Sequence, residues 1–104
     1  MGQYGEQKES IRVVNELVEN NPRNLYALDA VALLSREIND PTAEIQARKS
    51  ISRLDPWNAK NYLELGRDYK LIGEFTEMER CKKIILEFAA NTPEASIALT
   101  ELVS

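Results

Sequence analysis

Asp55-Pro56-Trp57-Asn58-Ala59-Lys60-Asn61-Tyr62-Leu63-Glu64-Leu65-Gly66-Arg67-Asp68-Tyr69-Lys70-Leu71-Ile72-Gly73 is the stretch on which the fold turns. Tyr62, Leu65, Gly66 and Tyr69 recur at spacings of three and four, which is one side of a helix expected over residues 57–72. Asp55-Pro56 closes the segment before it. Gly73 ends it, supplying a backbone conformation that a β-carbon would penalise. Gly66 lies inside the apolar stripe, where a missing side chain lets two helix backbones approach. Tyr62, Leu65 and Tyr69 fill the seam between paired helices.

The same punctuation runs outward in both directions. Residues 6–20 carry Ile11, Val14, Leu17 and Val18 on one stripe and stop at Asn20-Asn21-Pro22. A second helix is expected over 24–38, with Leu25, Leu28, Val31, Ala32 and Leu34 apolar, and Asn39-Asp40-Pro41 breaks it. Asp40 is a natural N-cap with Pro41 at the first helical position, where its missing N–H costs nothing. The third helix, 41–54, shows Ala43, Ala47, Ile51 and Leu54. Beyond Gly73, Thr76 and Glu79 have capping-box spacing, which starts a fifth helix at Phe75 or Thr76 and carries it to residue 90. Thr92-Pro93 opens a sixth, over 93–103. No sustained period-two alternation survives between these breaks. The class expected is all-α, about six helices, with short connections that set successive helices antiparallel.

The breaks keep a period. The interval from Pro22 to Pro56 returns, doubled, between Gly5 and Gly73. That interval holds two helices, and a two-helix unit of about 34 residues resembles the tetratricopeptide repeat. The family's W-x2-L-G-x2-Y spacing is matched by Tyr62, Leu65, Gly66 and Tyr69, with Tyr in the place of Trp. Gly73 and Phe75 follow at the offsets of that family's inter-helix turn and first aromatic. Departures accompany the match. Ser35 stands where the aromatic belongs, Asn39 where the turn glycine belongs, Met78 at the small position and Lys82 at the next aromatic. The closing proline is Pro93, whereas the interval counted from Pro56 would put it at Ala90; this implies a fifth helix about one turn longer than the family's.

The resemblance implies a helix-hairpin α-solenoid in a single domain: half a repeat over 5–22, ending at Pro22 with Ser10, Val14 and Leu17 at the offsets of the small, aromatic and second small positions, repeats over 23–56 and 57–92, and a capping helix over 93–103. In that cap Ile97, Leu99 and Leu102 or Val103 would face the fifth helix, with Glu94 and Glu101 toward water. Beginning in mid-repeat is the pattern of a piece cut from a longer solenoid, or of a start at Met1-Gly2 that is not native.

Composition narrows the chemistry. Thirteen basic and 17 acidic residues give a formal charge of −4, without the basic excess of a nucleic-acid-binding surface. No apolar run approaches the roughly 20 residues of a membrane span. His is absent and Cys81 is the one cysteine, which excludes internal disulfides, zinc sites and His-based acid–base catalysis. Cys81, between Arg80 and Lys82 with no base to activate it, reads as a small buried helix residue rather than a nucleophile. Nothing in the residues supports an enzyme, and no cofactor is implied.

Members of the tetratricopeptide family are mostly binding platforms, in which the first helix of each pair lines a concave groove. By that resemblance the groove-facing residues would be Tyr26, Asp29, Leu33 and Arg36, then Lys60, Leu63, Arg67 and Lys70, holding a peptide or protein segment. Four cations among them point to an anionic segment; the alternative is that Arg67 and Lys70 pair with Glu64, Asp68 or Glu74 along the helix. Trp57 has two readings as well, an interface anchor or a staple packed over the preceding turn. Residues 54–66, followed by Tyr69-Lys70, Met78, Ile84-Ile85-Leu86 and Phe88-Ala89, also resemble the C-terminal repeat modules of bacterial membrane polymerases and ligases of the O-antigen type. That resemblance implies a soluble tail attached to an inner-membrane glycosyltransferase. A third reading is a self-association unit, a monomer or weak homo-oligomer meeting through exposed repeat ends.

Overall fold

Helix starts, stops and caps return at one fixed interval along the chain. The computed structural model describes Arg12, Glu16, Glu19, Asn20 and residues 23–104. Its helices are α1 (Leu25–Glu37), α2 (Pro41–Leu54), α3 (Ala59–Leu71), α4 (Phe75–Phe88) and α5 (Pro93–Glu101), and no strand occurs among the described residues. The offset from the start of α1 to that of α3 is repeated from α2 to α4 and again from α3 to α5, and it equals the interval between Pro22 and Pro56. α1 and α3 each have 13 residues, α2 and α4 each 14. The connections are short, so each helix folds back on the one before it.

The repetition has a local chemical cause at both kinds of turn. At the starts of α1, α3 and α5, the side chains of Asn24, Asn58 and Thr92 accept from the N–H groups of Ala27, Asn61 and Ala95 at 3.1, 3.0 and 3.3 Å. Each removes one orphan donor from a helix N-terminus. Asp40 does the same for Ala43 ahead of Pro41. Between α1 and α2 the chain passes through Asn39 at φ 57°, and between α3 and α4 through Gly73 at φ 78°. Asp40 N–H donates to Ser35 O, and Glu74 N–H to Tyr69 O, both at 2.8 Å. Asn tolerates the left-handed region better than other L-residues, so Asn39 fills the role expected of glycine.

Several boundaries differ from expectation. α3 starts at Ala59, because the Asn58 side chain caps there and leaves Trp57 outside. The Thr76–Glu79 capping box does not form: the turn at Gly73 delivers Glu74 to the N-cap, and its side chain makes no capping bond. α4 is no longer than α2. Pro93 stands in register with Ala59, so the wider proline spacing reflects a displaced proline, with no added turn of helix. Of the helix expected over 6–20, Arg12, Glu16, Glu19 and Asn20 are helical and exposed; its apolar stripe, and Ser10, Val14 and Leu17 with it, lie outside the described residues.

The apolar interior is divided. The main cluster joins α3, α4 and α5 through Leu63, Leu65, Tyr69, Met78, Ile85 and Leu102, and α2 adds Ile45. A second, smaller cluster holds Val31 and Ala32 of α1 with Ala47 of α2. Ser35, where α3 has Tyr69, is fully buried and its hydroxyl has no hydrogen-bond partner. Serine leaves the first hairpin short of the large side chain that the second has. α5 packs on both α3 and α4 through Ala95, Ala98 and Leu102. Ile97 is half-buried as expected of the cap, but Leu99 and Val103 are 57% and 42% exposed, because the small alanines bring α5 in along a different stripe.

Candidate functional site: the groove between α1 and α3

α1 and α3, each opened by an asparagine cap, border one groove of about 450 Å³. Tyr26, Asp29, Leu33 and Arg36 of α1 meet Lys60 of α3 along its walls. Tyr26 is 90% exposed and Leu33 49%, so the α1 wall offers an aromatic ring and an aliphatic side chain two turns apart. Arg48, Asn61 and Glu64 lie across the lining, with Asp55 and Asn58 at one end. Those residues are not among the expected ones. The cap position of Asn58 and the i,i+4 pair Glu44–Arg48 are the signals in the sequence that point to them.

Three expected residues lie elsewhere. Leu63 is 3% exposed and packs in the main core, so it presents nothing to the groove. Arg67 and Lys70 turn toward α5: Arg67 Nε and Nη2 donate to the Glu101 carboxylate at 2.8 and 3.1 Å, and Lys70 Nζ donates to Glu101 O at 2.8 Å. Arg67 also pairs with Glu64 one turn back.

Arg36 is likewise engaged. Its guanidinium donates to Glu44 at 3.3 and 2.6 Å and pairs with Glu64 across the gap to α3. Burial opposes its charge, but the hydrogen bonds to both glutamates outweigh that and hold it above its ordinary range. Glu64 shows the converse. Burial pushes its carboxyl up, yet Arg36 and Arg67 prevail and hold it below the usual carboxylate range. A chain of charge thus runs Glu44–Arg36–Glu64–Arg67–Glu101 through α2, α1, α3 and α5. Of the four expected groove cations, Arg36 and Arg67 are paired with acids and Lys70 donates to a backbone carbonyl, which leaves Lys60 free to meet a ligand among the described residues.

Two further groups find their settings. Cys81 is 4% exposed and burial pushes its thiol up to about 12, so it stays protonated and shielded. Trp57 is 73% exposed and meets Phe88 edge-on at 5.4 Å. Phe88 in turn meets Tyr62 at 6.0 Å. Among the described residues no helix is long and apolar enough to cross a membrane. No protein-family model and no curated protein matches the chain.

Proposed function

We propose that the chain is a tetratricopeptide-like, non-catalytic binding module that holds a peptide or protein segment in the groove between α1 and α3. The reading is carried by Tyr26 and Leu33, two exposed apolar side chains on one wall of a groove whose floor is polar and internally paired. Exposed aromatic side chains at such a place supply contact area at low entropic cost, and Tyr is enriched among interface anchors. The regular return of caps, turns and helix lengths supports the family resemblance. Because Arg36, Arg67 and Lys70 are engaged internally, the preferred segment is one with an apolar or aromatic anchor and a modest acidic element opposite Lys60.

A peptide-display selection against the full chain tests this, followed by amide chemical-shift mapping of a selected peptide. Shifts centred on Tyr26, Asp29, Leu33 and Lys60, and at least tenfold weaker binding by Tyr26→Ala with Leu33→Ala, are expected. Shifts centred on Trp57 and Phe88 instead, or undiminished binding by the double variant, would reject the groove.

Self-association has an observation of its own, the exposure of Leu99 and Val103 at the last helix. Light scattering over a concentration series separates it: a strictly monomeric chain removes this reading.

A further inference from the structure

The junction between the two hairpins is built from charge, whereas the hairpins themselves are built from apolar packing. α1–α2 keeps its small cluster, α3–α5 keeps the large one, and Ile45 is the one α2 residue that belongs to the latter. Between them lie Glu44 and Arg48 of α2 with Asn61, Glu64 and Asp68 of α3, each less than one-tenth exposed. Arg48 and Asn61 exchange two hydrogen bonds, Nη1 to Oδ1 at 3.3 Å and Nδ2 to the Arg48 carbonyl at 2.9 Å. Arg36 ties α1 to Glu44 and Glu64. Every group in this layer is matched except one. Asp68 is 3% exposed and its Oδ2 has no hydrogen-bond partner, yet it borders the same cavity of about 440 Å³ as Glu44 and Asp40.

We propose that α1 and α2 form a proton-controlled unit, seated on α3 while the Glu44 and Asp68 carboxyl groups hold one proton between them and loosened when both are ionised. The Glu44 oxygens already accept from Arg36 and from Arg48 Nε at 2.7 Å. Asp68 is the member that carries the proton and can turn its O–H toward Glu44. The charges facing Asp68 are Glu44 and Arg48 from α2 and Arg36 from α1. On α3 itself Glu64 and Arg67 are committed to each other, and Glu101 of α5 is reached through Arg67. The titratable groups of α4 that face α3, namely Glu77, Arg80 and Cys81, act on Tyr69 instead.

The energetics run in one direction. Burial, then the charge of Glu44, push the Asp68 carboxyl up from 3.8 to about 7, against the opposing pull of Arg36 and Arg48. The seated state therefore binds more protons than the loosened state between those values. Seating weakens as the pH rises through that window and is level above it. Among the described residues α1 shares no close backbone packing with α3, α4 or α5, so the unit is seated through α2 and through the side chains of this layer. The α1 wall of the groove would move with it, but the device does not depend on the groove having a ligand.

Native-state hydrogen exchange on the full chain, corrected for intrinsic rates, tests the inference. Between about pH 5.5 and pH 8, protection in α1 and α2 should fall on the order of tenfold more than in α4 and α5. Asp68→Asn, which keeps the shape and a donor toward Glu44, should remove that difference. An equal fall in all helices, or a difference that persists in Asp68→Asn, overturns the proposal. Should Asp68→Asn fail to fold, a carbon-detected titration of Asp68 in the unmodified chain decides, and a midpoint below about pH 5 ends the idea. A failed peptide selection at the groove would leave these outcomes untouched.

Discussion

Leu102 closes over Gly66: a β-carbon added at residue 66 would lie 2.6 Å from Leu102 Cδ1 and 3.1 Å from Cδ2. The next neighbour is Cys81 Cβ at 3.4 Å, an ordinary contact. The tightest limit on residue 66 is thus a side chain from the residue that follows α5. Gly66→Ala gains roughly 1 kcal/mol of helix propensity but overpacks a fully buried leucine, at about 1–3 kcal/mol. A net loss of about 1 kcal/mol is expected in urea unfolding. In a Leu102→Ala background the same change should stabilise. That reversal of sign distinguishes the Leu102 contact from a general intolerance of side chains at residue 66.

Ser35 gives an opposite expectation, a buried change that helps. Its hydroxyl is fully enclosed and unpartnered, so the desolvation cost is carried without return. Ser35→Ala removes that atom and improves helix propensity. A gain of about 1 kcal/mol is expected, seen as a higher urea midpoint at unchanged slope.

The two left-handed turns should respond differently to the same residue. Around Gly73 nothing lies within 4 Å of an added β-carbon, so only backbone strain opposes a side chain there. Gly73→Ala should cost about 1 kcal/mol, while Gly73→Asn should cost less, because Asn39 occupies the equivalent place at φ 57°. Asn39→Gly should be nearly neutral and Asn39→Ala should cost about 1 kcal/mol. Thermal unfolding of the four variants checks the ordering.

How much of this is legible in the sequence follows from where the information sits. Caps and left-handed turns are local, so Asp40, Thr92 and Gly73 announce themselves, and α2 has the bounds expected of it. Asn39 reads as a departure as long as residue type is compared without backbone conformation. Buried charge is not legible. Apolar periodicity marks Ala43, Ala47 and Ile51 as the inner stripe of α2, but Glu44 and Arg48, on the flank of that stripe, turn inward to meet α3. Only the neighbouring helix decides whether a flanking charge faces water or a partner. The groove is legible in part for the same reason: Tyr26 and Leu33 stand on an outer wall, whereas Arg67 and Lys70 answer to Glu101, which belongs to a helix far along the chain.

Global stability should peak at mildly acidic pH. Glu64 and Glu101 are held below the ordinary carboxylate range, Glu64 against its own burial and Glu101 chiefly by the Arg67 hydrogen bond. Their contribution is present above an unfolded-state value of 4.5 and is lost as the pH falls further. Asp68, raised to about 7, acts the other way and withdraws stability as the pH climbs from 3.8. Melting temperature should therefore decline on both sides of a maximum near the ordinary carboxylate range. Asp68→Asn should flatten the alkaline side, gaining on the order of 2 kcal/mol above pH 7 and little near pH 4. A variant no more stable than the parent at pH 8 would contradict the assignment of the alkaline limb to Asp68.

Charge reversal separates the groove from the framework beneath it. Arg67→Glu would place a third carboxylate against Glu64 and Glu101, so it should lower the melting temperature and cannot report on ligand contact alone. Arg36→Leu should be worse, since it takes one of two cationic partners from each of Glu44 and Glu64, which are 2% and 8% exposed in their side chains and keep only Arg48 and Arg67. Removing one member of a buried pair costs about 3–5 kcal/mol, and the partial exposure of Arg36 brings the expected loss to about 2 kcal/mol. Lys60→Glu touches none of these pairs and should leave the melting temperature within about 0.5 kcal/mol equivalent of the parent. If the groove holds a segment with an acidic element, Lys60→Glu weakens its capture on an intact fold, and raising the salt concentration shrinks the difference between the two proteins. A segment bound through its apolar anchor alone would be held equally well by both.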